Sequence, residues 1–145
     1  MSTFVIGTSS ISEAIQQGLY PVVVSIPDRP IKKLIYVAGK YRDARGEWYV
    51  ECNIREAERI AQYIWMNGAV AICPHKNTAH WGGICPDHVW LDGDLEILSR
   101  CDAIYMVSNW MSSDGAHKEK EFAEQMGLKV LYNQTELLKF LGIIA

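Results

Sequence analysis

No apolar run in the sequence approaches the roughly 18 residues of a membrane span. The N-terminus also lacks a basic stretch followed by an apolar run and a small-residue cleavage site, the pattern of a secretory signal. A cytoplasmic protein with no membrane partner is therefore expected. Positive charge is scarce: 14 Lys and Arg stand against 17 Asp and Glu, a formal net charge of -3. Without a global positive field, non-specific binding of a nucleic-acid polymer is excluded, whereas a free nucleotide needs only a local basic or amide-lined pocket. Cysteines number four (Cys52, Cys73, Cys85 and Cys101), and 145 residues can build a core without disulfide staples. Free thiols in a reducing compartment are the expectation. There is no internal repeat and no low-complexity tract.

What the chain does have is alternation. Residues 1–31 hold a short helical pattern at 11–18 and the run Val22-Val23-Val24, bracketed by Pro21, Pro27 and Pro30. A strand there belongs at a sheet edge, because proline cannot donate to a ladder. This segment is expected to be an N-terminal extension packed on a core domain over residues 32–145. From Lys33 the pattern is regular. Leu34-Ile35-Tyr36-Val37-Ala38 stops at Gly39, and Ala69-Val70-Ala71-Ile72-Cys73 stops at Pro74. Further runs lie at 102–107 and 129–132. Each reads as a buried strand.

Helical spacing lies between these runs. A polar loop over residues 40–51 is followed by Asn53, expected to cap a helix through Ile54, Ala57, Ile60, Ala61 and Ile64. Residues 75–87 read as a long loop and 88–100 as a helix. A further helix follows Ser112-Ser113-Asp114-Gly115 and closes at Gly127; a last one spans 134–141. Strands alternating with helices predict an α/β fold: one three-layer domain, a parallel sheet of four or five strands flanked by helices, Rossmann- or flavodoxin-like. Ligands in such folds bind beyond the carboxyl ends of the strands. The segments there, 39–42, 74–81 and 108–115, are the polar, aromatic and glycine-rich ones.

Ser113 and Gly115 sit at a strand–loop–helix junction, where free backbone N–H groups and the helix dipole favour an anion. Glu119, about one turn later, can face the same pocket; a capping motif with a solvated glutamate is the plainer reading. Asp92 and Asp94 lie ahead of the third strand, where a carboxylate can simply complement the helix dipole. Paired with Glu119 across a pocket, Asp94 completes the equipment for a glycosidic bond: one carboxyl as nucleophile, one as acid. Tyr36 is a core tyrosine or an orienter of a carboxylate. Arg42 is a solvated loop arginine or a phosphate ligand. Cys73, His75, His80, Cys85 and His88 match no closed zinc spacing, so no metal and no cofactor are expected. An aromatic, His-lined base pocket fits that region instead, with His75, Trp81 and Trp110 as binding candidates.

Three motifs in order, residues 35–42 (Ile-Tyr-Val-Ala-Gly-Lys-Tyr-Arg), 94–104 (beginning Asp94-Leu95-Glu96) and 113–119 (Ser-Asp-Gly-Ala-His-Lys-Glu), resemble the nucleoside 2-deoxyribosyltransferase-like family. They are most similar to its 2'-deoxynucleoside 5'-monophosphate N-glycosidase branch and small relatives of that branch. The resemblance runs over residues 33–132. It implies a nucleotide N-glycosidase or deoxyribosyltransferase, hydrolysing or exchanging the N-glycosidic bond, and a homodimer or higher homo-oligomer. It implies Glu119 as nucleophile or cation stabiliser, Asp94 as the acid assisting the departing base, and Tyr36 as the group holding the glutamate. Ser113 falls where the monophosphate branch has a serine, and Arg42 where it has a phosphate-binding arginine, which favours a 5'-monophosphate. The chain departs from the family at His117 and Glu121, both glycine there, and at Lys40, where a small residue is usual. Those departures support a rival expectation, a non-catalytic nucleotide-binding module acting as sensor or sponge.

Overall fold

The run that ends at Gly39 is the strand β1 (Leu34–Ala38), buried in all but its first residue. The computed structural model describes residues 31–145. The expectations for the N-terminal extension therefore lie outside the described residues, except at Ile31. After β1 come α1 (Glu47–Met66), β2 (Val70–Ile72), the single turn α2 (Pro74–Asn77) and α3 (Asp87–Leu98). Then follow β3 (Ala103–Met106), a 3-10 turn (Trp110–Ser112), α4 (Asp114–Gln125), β4 (Lys129–Leu131) and α5 (Gln134–Phe140).

The strands pair in the order β2-β1-β3-β4, all parallel. Successive side chains of a strand point to opposite faces. Ile35, Val37 and Tyr105 pack on one face, against Ala57 and Ile64 of α1 and Leu137 of α5. Tyr36, Ala38, Ile104 and Met106 pack on the other, against Leu98 of α3 and Ala116 and Ala123 of α4. This is the expected three-layer fold, with four strands among the described residues. Burying each such large aliphatic side chain is worth about 1.5–3 kcal/mol. No helix among the described residues is long and apolar enough to cross a membrane.

Two local expectations are corrected. Asn53 is not a cap: α1 begins at Glu47, after Gly46 at φ 127, and runs through the predicted loop. Its first turn carries an exposed Glu47 and Trp48, and only the buried Val50 extends the apolar period of Ile54, Ala57, Ala61 and Ile64 back to it. The segment after β2 is not all loop either, because Pro74 starts α2 with its fixed φ.

The strand order sets the site. From β1 the chain crosses to β2 on one side, and β3 lies on the other. The carboxyl ends of β1 and β3 thus flank the topological switch point, where open parallel sheets bind ligands.

Candidate active site

A cavity of about 410 Å3 opens at that edge, within the size range, roughly 300–1,000 Å3, of small-ligand pockets. The loop after β1 contributes Gly39, Lys40, Tyr41 and Arg42, and the segment after β2 contributes Pro74, His75 and Thr78. From α3 come Asp87, Trp90, Leu91 and Asp94, whose spacing is one helical stripe. Ser113, Gly115, Lys118 and Glu119 line it from the β3–α4 junction.

Two carboxyls and a phenol define the floor. Tyr36, fully buried on the α4 face of β1, donates its hydroxyl hydrogen to Glu119 Oε1 at 2.7 Å. Glu119 reaches this point because Ser113 caps α4, accepting from the Ala116 N–H at 3.2 Å, and fixes where the helix starts. Burial pushes the Glu119 carboxyl up to about 8; the Tyr36 hydrogen bond opposes the rise and the charge of Asp94 adds to it. Burial also raises Asp94, to about 6. Burial, then the charges of Glu119 and Asp94, push the Tyr36 phenol well above its ordinary value, so it stays a neutral donor. Between about 6 and about 8 the carboxyl pair holds a single proton. Asp92, the neighbouring candidate, is exposed and outside the cavity.

The loop after β1 is held in place by residues that sequence patterns do not connect. Lys40 N–H donates to Asn109 Oδ1 at 2.9 Å, and Asn109 Nδ2 donates to Asn53 Oδ1 at 3.3 Å. Asn53 Nδ2 in turn donates to the Tyr41 carbonyl at 3.1 Å. Gly39 is required by the protein itself: an added Cβ would lie 2.9 Å from Val107 Cβ and 3.0 Å from Asn109 Oδ1. Gly115 differs, since a Cβ there would meet only Ser113 Oγ, at 3.8 Å.

The cations divide into paired and unpaired. Arg42 sits at the exposed rim and donates to Asp87 at 2.5 Å; Lys40 pairs with Asp43 at 3.0 Å. Lys118, which no sequence pattern singles out, lines the cavity without a carboxylate partner among the described residues. His117 does not enter the cavity. Its Nε2 lies 2.9 Å from the Met111 carbonyl, to which it donates, and its ring tilts against Trp110 at 4.7 Å. Glu121 is exposed and also lies outside it.

The expected aromatic lining is corrected in part. His75 lines the cavity, but Trp81 and Trp110 do not. Trp81 is half exposed and meets Trp90 edge-on at 5.9 Å, while Trp110 packs against His117 and Tyr132. The tryptophan on the cavity is Trp90, legible only as part of the stripe 87, 90, 91 and 94. Cys73, His75, His80, Cys85 and His88 do not gather into a metal-holding group among the described residues.

No curated protein matches the chain. Solved structures similar to it include two transferases. A 2-deoxyribosyltransferase from Bacillus psychrosaccharolyticus has 18% identity over 67% of this chain and 69% of that one, at a TM-score of 0.50. A 2-desoxiribosyltransferase from Leishmania mexicana has 18% identity over 69% of this chain and 63% of that one, at a TM-score of 0.49. The first likeness shows a shared fold. Residues 33–132, which hold the sheet and every residue of the cavity, match the family described as a domain of unknown function, DUF4406, and the chain belongs to that family.

Proposed function

We propose that this protein is an enzyme that binds a nucleoside or nucleotide in the cavity and breaks or exchanges its N-glycosidic bond. The observation that carries this reading is the Tyr36–Glu119 hydrogen bond of 2.7 Å together with a second, partly buried carboxyl, Asp94, in one cavity. Two carboxyls of separated pKa are what glycosidic bonds require. The shared fold with a 2-deoxyribosyltransferase supports it.

In the proposed reaction, the pair's single proton, which rests on Glu119 in the free protein, sits on Asp94 in the reacting form, and the ionised Glu119 attacks the anomeric carbon as the bond to the base breaks. The leaving base nitrogen takes up the proton carried by Asp94. Tyr36 holds Glu119 beneath the sugar and relinquishes part of its bond as the ester forms. Water then attacks the anomeric carbon, returns a proton to Asp94 and frees Glu119, giving the free sugar; a second base in place of water gives exchange.

The acid–base pair sets a pH profile. Below about 6 both carboxyls are protonated and no carboxylate can attack; above about 8 both are ionised and no acid remains. Release of free base from deoxynucleoside 5'-monophosphates, followed by chromatography, is therefore expected to give a bell-shaped kcat/KM centred near neutrality. A profile flat over that range would overturn the two-carboxyl assignment.

A 5'-phosphate is the favoured anion. The start of α4 leaves the Asp114 and Gly115 amides without intrahelical acceptors, at the positive end of the dipole. Gly115 keeps the approach open, Ser113 retains a hydroxyl hydrogen to donate, and Lys118 supplies the charge. Arg42 joins only by exchanging Asp87 for the phosphate. Lys118→Ala is expected to weaken binding of a 5'-monophosphate about tenfold, the loss of one charge-assisted hydrogen bond. The matching nucleoside should bind as before. Equal losses for both ligands would remove Lys118 from the phosphate site.

A further inference from the structure

The three cations that line the cavity are not equivalent. Lys118 has no carboxylate partner among the described residues, and Lys40 is held by Asp43, which lies outside the cavity. Arg42 alone is paired with a carboxylate that lines the cavity too. That partner is Asp87, 45 positions away and the first residue of α3, so the pair joins two walls of the cavity.

The pairing is thin. One guanidinium nitrogen, Nη2, donates to one carboxylate oxygen, Oδ1. The Arg42 and Asp87 side chains are 69% and 58% exposed, so water reaches both. An exposed pair of this kind shifts an equilibrium by no more than about fivefold. A guanidinium fork on a phosphate makes two parallel charge-assisted hydrogen bonds, worth roughly ten- to a hundredfold. A phosphate in the cavity therefore takes Arg42 from Asp87, and its affinity is lowered by the strength of the pair it breaks. Asp87 has a plainer role as well: in the first turn of α3 it complements the helix dipole, which does not involve Arg42.

We propose that Asp87 is a specificity-determining competitor of the phosphate site: it holds Arg42 in the free protein, yields it to a 5'-phosphate and takes it back on release. Asp87 thereby sets the margin by which a monophosphate is preferred to its nucleoside. An uncharged ligand leaves the pair intact and binds without regard to Asp87. This inference rests on the reading of the cavity as a nucleotide site and gives a residue outside the reacting groups control over ligand charge.

The test is calorimetric binding of the four common deoxynucleoside 5'-monophosphates and their nucleosides to the full chain. Asp87→Asn keeps the size of the side chain and removes its charge. It is expected to tighten binding of at least one monophosphate about three- to fivefold and to leave its nucleoside within about twofold. Asp92→Asn removes the same charge from the same helix, at an exposed position outside the cavity, and should change neither. In an Arg42→Ala background the gain from Asp87→Asn should shrink below about twofold. Arg42 and Asp87 are both more than half exposed, so these variants are expected to fold. A monophosphate that binds wild-type protein and Asp87→Asn equally would overturn the proposal and leave the reading of the cavity standing. A gain of the same size in Asp92→Asn, or one that persists without Arg42, would also overturn it, because Asp87 would then act only as bulk charge. If no monophosphate binds either protein, the reading of the cavity fails and the proposal falls with it.

Discussion

Glu119→Gln is expected to abolish base release, by a factor on the order of 10^3 or more, while making the protein more stable at neutral pH. The first effect follows from removing the only group placed to attack the anomeric carbon in the proposed reaction. The second follows from linkage. The Glu119 carboxyl lies near 4.5 in its ordinary state and near 8 in the fold. A raised carboxyl binds its proton more tightly when folded, so stability falls as pH climbs from the lower value toward the upper one. At pH 7 that penalty is on the order of 3 kcal/mol, and glutamine does not carry it. Glutamine keeps an oxygen for the Tyr36 hydroxyl and nearly the same shape. The melting temperature should therefore exceed that of the wild type by roughly 5–10 °C at pH 8, and by much less at pH 5. A difference that does not change with pH would show that Glu119 ionises freely in the fold.

Gly39→Ala is expected to be the most damaging small substitution in the loop. Its Cβ would sit 2.9 Å from Val107 Cβ, an atom fixed to the end of β3 rather than the tip of a flexible chain. The loop must move, and it carries the Lys40 N–H that donates to Asn109. Overpacking of this kind costs about 1–3 kcal/mol. A fall of several degrees in melting temperature should accompany weaker ligand binding, because Lys40, Tyr41 and Arg42 line the cavity just beyond. Gly115→Ala is the comparison: its Cβ would meet only Ser113 Oγ, at an ordinary contact distance of 3.8 Å, so it should leave the melting temperature unchanged or slightly raised. If Gly39→Ala melted within a degree of the wild type, the close approach to Val107 would not be a constraint.

The parallel sheet was legible because its strands are short apolar runs closed by glycine, proline or polar residues. The alternation within β1 follows from period two alone, and it puts Tyr36 on the face where α4 packs. The junction at Ser113 to Glu119 was legible for a related reason, since capping, glycine and helical spacing are all local. What was hidden depends on long-range contacts. Asn53 resembles a cap in the sequence, but its partners are Tyr41 and Asn109, the latter 56 positions away. The first turn of α1 buries only Val50 beside the exposed Glu47 and Trp48, so a single apolar residue carries the helical period there. Among the tryptophans, composition could not separate Trp90 from Trp81 and Trp110, because only the rotation of α3 decides which indole meets the cavity. His117 is a charged-capable residue beside the expected anion site, yet its bond to the Met111 carbonyl takes it out of the cavity.

The most direct measurement is incubation of the protein with ribo- and deoxyribonucleosides and their 5'-monophosphates, with and without an added acceptor base, followed by chromatography of the small molecules. Free base, or a new nucleoside or nucleotide when acceptor is present, is expected from at least one member, and fastest with a 5'-phosphate. Quantitative recovery of every ligand intact, from protein shown to bind it, would contradict the account and leave a nucleotide-binding module that senses or sequesters its ligand.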